Sequence, residues 1–209
     1  MIEQAKSAPG GAADESSTRL PETPVRPGRR RSEESRQAIL GAAFELLGEV
    51  GYARLTVEGI AARAGTGKQT VYRWWPGKAD VLLEAVTAHA RQHIPLPDTG
   101  DHTADLRTFL ATTFAAATPS TAAALRALMA EAQIDPAFGE RFRATLLRPR
   151  REALGALLER ARTTGLLAPQ LTTATAVDLA FGALWYRLLS DGGPLDDELA
   201  ELLTRTLLR

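Results

Sequence analysis

The stretch Leu55–Lys78, LTVEGIAARAGTGKQTVYRWWPGK, decides how this chain folds. Val57, Ile60, Ala61 and Ala64 recur at helical spacing. Thr56 before them suits a helix N-cap, and Glu58 complements the dipole in the first turn. Gly65 stops this helix, and Gly65 with Gly67 predicts a tight turn between two steeply crossing helices. Val71 and Trp75, four residues apart, turn the inner face of the second helix onto Ile60 and Ala61. Lys78 opens a third helix. The pattern is a helix-turn-helix, whose second helix enters the DNA major groove.

That geometry assigns roles to the outward residues. Lys68, Gln69 and Thr70 occupy the first turn of the recognition helix, the end that points at base edges. Lys donates to guanine O6 or N7, and Gln pairs with adenine N6 and N7. Thr56, the Tyr72 hydroxyl and Lys78 at its helix N-terminus are the candidate phosphate contacts. Two readings stay open at Gln69. Thr66-x-x-Gln69 fits a capping box that folds the glutamine back, whereas Gly67 as N-cap frees it for a base. Trp75 reads as core. Trp74 suits a sugar–phosphate contact and simple packing equally well. Gly65-Thr66-Gly67-Lys68 also resembles part of a nucleotide phosphate loop, but Ala62 and Gln69 stand where that motif needs Gly and Ser or Thr. A helix also precedes it where a strand is required.

Upstream, residues 1–31 are rich in Pro, Gly, Ser, Glu and Ala and predict a disordered tail. The tail ends in Arg26, Arg29, Arg30 and Arg31, which form either a solvated charge run or an arm on phosphates or the minor groove. A first helix is predicted from Ser32, with Ile39, Ala43, Leu46, Leu47 and Val50 as its stripe and Gly51 as its stop. The 209 residues carry no net charge, yet residues 26–80 hold +4 and the flanks −2 each. The excess lies around the helix-turn-helix. With no cysteine, disulfides and zinc–thiolate sites are excluded. No apolar run spans a bilayer and no secretory leader is visible, so a cytoplasmic location is expected.

Downstream, helices are predicted over 78–94, 103–117, 120–132, 136–164, 173–190 and 195–208. Asp135-Pro136 is a start signal and Pro149 is expected to kink or split the long helix. No strand alternation is visible. The expected architecture is all-α. It has a tail (1–31), a three-helix DNA-binding domain (32–77) and a helical bundle for ligand binding and dimerisation (78–209).

Residues 34–83 resemble the DNA-binding domain of the tetracycline-repressor (TetR) family of bacterial regulators. The resemblance is carried by Ala42-Ala43, Leu46-Leu47, Gly51-Tyr52, Leu55-Thr56-Val57 and Ile60-Ala61-x-x-Ala64-Gly65. It continues through Thr70-Val71-Tyr72-Arg73-Trp74-Trp75 and Gly77-Lys78-Ala79-Asp80-Val81-Leu82. Thr66-Gly67 in the turn, Trp75 in the core aromatic slot and the arginine-rich tail depart from the family pattern. The resemblance implies a homodimeric, ligand-responsive repressor that reads a palindromic operator in double-stranded DNA, with one pocket for an unknown small-molecule effector in each bundle.

Within the bundle, Ala176, Ala180, Gly182 and Ala183 permit close helix approach. Leu195, Leu199, Leu202, Leu203 and Thr206 form a stripe, and residues 173–208 are the expected dimer interface. Pocket candidates are Phe109, Phe114, Met129, Phe138, Phe142, Trp185 and Tyr186, each also suited to plain core packing. Phe109 and Phe114 are five apart and point in different directions. His89 and His93 share a helix face but lack a third ligand nearby, so no metal is expected. Arg141, Arg143, Arg148, Arg150 and Arg151 read as a solvated face. No acid, base and nucleophile converge, so neither catalysis nor a cofactor is expected. The alternatives are an activator of the same fold and a non-enzymatic helical small-molecule-binding protein.

Overall fold

The computed structural model describes residues 27–209, with side chains from 32 onward. Every regular element among the described residues is helical. α1 spans Pro27–Arg54. It begins five residues before the expected Ser32 cap, because proline at the first helical position gives up no hydrogen bond and has the right φ. Residues 27–31, predicted as the end of a disordered tail, are therefore helical, while residues 1–26 lie outside the described residues. Gly51 (φ 73°) breaks α1 where the sequence placed a stop, and one further turn leads to Arg54.

α2 is Val57–Arg63, with the Thr56 hydroxyl accepting from the Gly59 N–H at 3.0 Å. α3, Lys68–Tyr72, is the short second helix of the motif. α4 follows at Lys78–His93, α5 at His102–Ala115 and α6 at Pro119–Ile134. α7, Pro136–Phe142, starts on the predicted Asp135 cap, whose carboxylate accepts from the Ala137 and Phe138 N–H groups. The expected disruption at Pro149 takes the form of a π-helical turn, Arg143–Leu147, before α8, Arg148–Thr163. Proline supplies no N–H to the Thr145 carbonyl and its ring crowds that carbonyl, so the chain widens there. α9 (Thr173–Ser190) and α10 (Asp197–Leu207) complete the chain. One isolated bridge, Leu167 to Leu208, is the sole extended pairing among the described residues.

Two apolar cores result. The first joins Ile39, Leu47, Ile60, Val71 and Trp75 to α4 and continues into Leu128, Phe138 and Phe142 of α6 and α7. The second packs Leu106 and Phe109 of α5 against Leu154, Leu158, Leu184 and Leu199. The helix-turn-helix is thus seated on the bundle rather than tethered to it. Tyr52 Oη donates to Glu131 on α6 at 3.1 Å, and Arg141 on α7 pairs with Asp80 on α4 at 2.7 Å. α7 lies so close to α6 that a Cβ on Gly139 would stand 2.7 Å from the Ala132 carbonyl oxygen. Half-buried Leu125 and Trp185 touch both cores.

Candidate nucleic-acid interface and interior cavity

Short helices hold their geometry through caps and packing rather than propensity. α2 is fixed by the Thr56 cap and by Arg63, which forks onto Glu49 (2.9 and 2.6 Å) and reaches Glu45 at 3.2 Å, tying α2 to α1. The hydrogen bond from Arg63 holds the Glu49 carboxyl below its usual range. The turn then requires a left-handed residue at Gly65 (φ 65°), whereas Gly67 (φ −80°) sits in ordinary extended backbone. Only the first of the two turn glycines is conformationally necessary.

Gly67 is the N-cap of α3, with no side chain capping it. The Thr66–Gln69 capping box does not form, and Gln69 remains exposed in the first turn beside exposed Lys68. Lys68 reaches Glu58 only at 3.9 Å, a solvated pair that leaves the ammonium free to move. Thr70 is half-buried between them and the core. Tyr72 is 50% exposed and Arg73, at the helix C-cap, is also exposed. Sequence reasoning passed over Arg73, which adds a cation beside the expected phosphate contacts.

The inner face follows the expected packing set. Ile60 and Val71 are fully buried and Trp75 is 3% exposed. Trp75 Nε1 donates to Glu84 at 2.9 Å, and Glu84 pairs with Arg36 at 2.5 Å. The Arg36 guanidinium in turn lies 5.6 Å from the centre of the Trp74 ring. Trp74 therefore packs on one edge while staying 39% exposed.

Lys78 behaves differently from the expected phosphate contact. Its ammonium donates to the Tyr52 and Leu55 carbonyls, both at 2.9 Å, and lies 4.3 Å from the centre of the Tyr52 ring. These carbonyls lie in the last turn of α1 and just past it, so the side chain closes the α1–α2 corner instead of reaching outward. Burial first, and then the Glu131 charge, raise the Tyr52 phenol above its ordinary value, which keeps it a donor. The side chains of Arg26, Arg29, Arg30 and Arg31 lie outside the described residues.

A cavity of about 370 Å³ opens where the two cores meet, bounded by α4, α5, α6, α8, α9 and the π-helical turn. That volume suits a small-molecule site. Of the predicted pocket residues, Met129 and Trp185 line it. Phe109, Phe114, Phe138 and Phe142 do not: each is at most 3% exposed, and they fill the cores behind the wall. Both Phe109 and Phe114 are core, since α5 is packed on more than one side. Tyr186 points outward and is 67% exposed.

The cavity walls hold residues that the sequence pattern did not single out. Val86 and Ala90 come from α4, Ile94 from just past its end and Phe181 from α9, and His89, read in the sequence only as half of a histidine pair, lines the cavity too. Burial first, and then the neighbouring His93 charge, lower the His89 pKa and favour its neutral form. The two imidazoles stack at 4.1 Å, and no group of three potential metal ligands exists among the described residues.

The arginine series is not one solvated face. Arg141 pairs with Asp80, Arg143 and Arg148 with Glu140, and Arg151 with Asp178 at the cavity edge. Arg150 turns inward and lines the cavity. It lies 4.7 Å from the centre of the Phe109 ring and donates to the Thr113 hydroxyl at 3.3 Å. Arg150 stands four residues from both Leu146 and Leu154, which are buried, so helical spacing turns it to the inward face.

Comparison with known proteins agrees with this geometry. The family model for bacterial regulatory proteins of the tetR family matches residues 39–85, and that for the tetracycline repressor-like C-terminal domain matches residues 96–207. The chain is 35% identical over 170 residues to the uncharacterised HTH-type transcriptional regulator YdeS of Bacillus subtilis, covering 81% of this chain and 86% of that one. It is 32% identical over 174 residues to the DNA-binding transcriptional repressor TetR of Mycobacteroides abscessus, covering 80% and 88%. The crystal structure of the TetR family transcription regulator SCO0332 superposes with a TM-score of 0.69 at 32% identity, covering 83% of this chain and 96% of that one. The chain belongs to the TetR family of DNA-binding transcriptional regulators. No helix among the described residues is long and apolar enough to cross a membrane.

Proposed function

We propose that this regulator is a homodimeric repressor whose hold on a palindromic operator is released by a small molecule in the interior cavity. The observation that carries this reading is the course of α4. Near its middle, Glu84 accepts from the Trp75 indole at the end of the recognition unit. Beyond Glu84 the same helix supplies Val86, His89 and Ala90 to the cavity wall, and Ile94 joins them just past its end. A ligand that shifts α4 there acts on the seating of α3. The two sites would be coupled by the typical ~1–3 kcal/mol.

Dimerisation through residues 173–208 is supported by apolar surface left without cover. Leu179, Tyr186 and Leu189 are all about half-exposed or more along one face of α9, beside exposed Leu202 on α10. Gly182 and Ala183 on this face allow close approach. Ala176 and Ala180 serve the protomer's own core instead, as do Leu199 and, in part, Leu203. Two recognition helices held about 34–36 Å apart would read successive major grooves.

The contact set proposed for DNA is Lys68, Gln69 and Thr70 on bases, with Tyr72 and Arg73 on the backbone and Trp74 against a sugar. The test is selection of bound sequences from genomic DNA, followed by titration over a range of salt. Lys68→Ala and Gln69→Ala are expected to change sequence preference. Arg73→Ala is expected to weaken all sequences alike and to lower the salt slope by about 0.9. Binding that is insensitive to both salt and these substitutions would favour a small-molecule carrier over a regulator.

A further inference from the structure

One charge on the cavity wall has no counter-ion among the described residues. Arg150 is half-buried on its wall. The groups that hold the guanidinium, the face of Phe109 and the Thr113 hydroxyl, are both neutral. No carboxylate lies within ion-pairing distance of it among the described residues, although its neighbours Arg148 and Arg151 both have one. Burial lowers the Arg150 pKa, yet an arginine stays protonated. An unpaired cation in a poorly solvated site is costly to maintain. Here the guanidinium is fixed by ring and hydroxyl with further N–H donors left over.

The rest of the lining defines what would complete it. Leu125, Met129, Leu146, Phe181 and Trp185 make the walls apolar. Arg151 and Asp178 neutralise each other at 2.5 Å, with both side chains well exposed. The Thr121 hydroxyl shares a hydrogen bond with Thr118. His89 is held toward its neutral form and can offer a single N–H. The site therefore presents one uncompensated positive charge in a forked, planar group, inside an otherwise apolar chamber. A phosphate dianion or a nucleotide headgroup would need more cationic partners than remain. A single carboxylate matches the fork in both charge and geometry.

We infer that the effector is a compact apolar monocarboxylic acid, its carboxylate seated on Arg150 and its hydrocarbon part against Met129, Phe181 and Trp185. The inference rests on reading the cavity as the effector site, and it goes further by naming the chemical class. Arg150 is then the residue that sets specificity, and Thr113 and Phe109 are its positioning residues.

The test is calorimetric titration of the full chain with matched pairs of probes. Straight-chain acids of six to twelve carbons and phenylalkanoic acids are each compared with the corresponding primary alcohol. At least one acid is expected to bind about tenfold or more tighter than its alcohol, the scale of a charge-assisted hydrogen bond. Arg150→Gln should reduce that preference to threefold or less without weakening the alcohol. Arg150→Lys, which keeps the charge and loses the fork, should retain part of it. A melting curve for each variant verifies that it is folded.

The inference is overturned if the alcohols bind as well as the acids, if no acid binds at millimolar concentration, or if Arg150→Gln keeps the preference. Operator binding measured on the same samples separates the two claims. Loss of acid preference with intact salt-sensitive DNA binding defeats the ligand class alone. Acid preference without DNA binding defeats the regulator reading alone.

Discussion

The helix-turn-helix and the interior cavity treat their charged groups in opposite ways. At the first, charged and polar side chains are paired within the protein, although Arg36 Nε and Glu84 Oε1 are buried without a hydrogen bond. Lys78 caps two carbonyls, Arg63 forks onto Glu49, and the Trp75 indole ends on Glu84. At the second, Arg150 is held in place by neutral groups and has no counter-ion among the described residues. The difference separates a part whose charges are paired internally from a part whose complement would come from outside. Both communicate with α4, which carries Lys78 at its start and cavity-lining Ile94 just past its end.

The largest expected effect tests whether the DNA-binding end is as complete as described. Trp75 is 3% exposed and ties α3 to α4 through both packing and a hydrogen bond. Trp75→Ala is expected to cost about 3–5 kcal/mol of stability. For a chain of this size that lowers Tm by roughly 10 °C. DNA binding should be lost at temperatures where the bundle remains folded. A variant that melts within 2 °C of the wild type would mean that α3 is seated by something other than this aromatic.

Lys78 gives the next effect and the sharper contrast. Replacing it with Met leaves the Tyr52 and Leu55 carbonyls without their charged donor, a loss on the order of 1.5–3 kcal/mol. DNA affinity should fall because the α1–α2 corner loosens, but the dependence of log K on log salt should keep its slope. A slope reduced by about one would show that the ammonium reaches a phosphate in the complex and restore the role its sequence position implied.

That case shows where the sequence was readable. Caps, stops and periodicity are local, so Thr56, Gly65, Asp135 and the Val71–Trp75 pair could be placed from neighbours alone. The capping ambiguity at Thr66 was visible but undecidable, because both arrangements satisfy the same local pattern. The direction of the Lys78 side chain depends on carbonyls 23 and 26 residues upstream, brought close by tertiary folding. The cavity depends still more on long-range packing. Large aromatics are natural pocket candidates, but Phe109, Phe138 and Phe142 are the bulk that the cores consumed first. Smaller residues such as Ala90, Ala116 and Gly182 line the space that was left. Arg150 reads by its charge as one of five solvated arginines, yet its spacing of four from buried Leu146 and Leu154 puts it on the inward face, away from Arg148 and Arg151.

The smallest effect bears on the other half of the contrast and has the opposite sign. If Arg150 is kept for a ligand, removing it should not harm the unliganded protein. Arg150→Met deletes a half-buried, unpaired cation and leaves an apolar chain of similar reach on an apolar wall. It forfeits the contact with the Phe109 ring and the bond to Thr113. The ring contact at a half-buried site is worth about 1–2 kcal/mol and the long bond to Thr113 about 0.5–1 kcal/mol, and relief from desolvation of a cation with no counter-ion, on the order of several kcal/mol, exceeds both. The expected result is a small gain, about 0.5–1 kcal/mol, or a Tm higher by roughly 2–3 °C, read in ligand-free protein. Such a gain is the usual signature of a residue retained for function at the expense of stability. A fall in Tm of several degrees would instead make Arg150 a structural member of the α5–α8 contact. The contrast between a complete region and an incomplete one would then disappear.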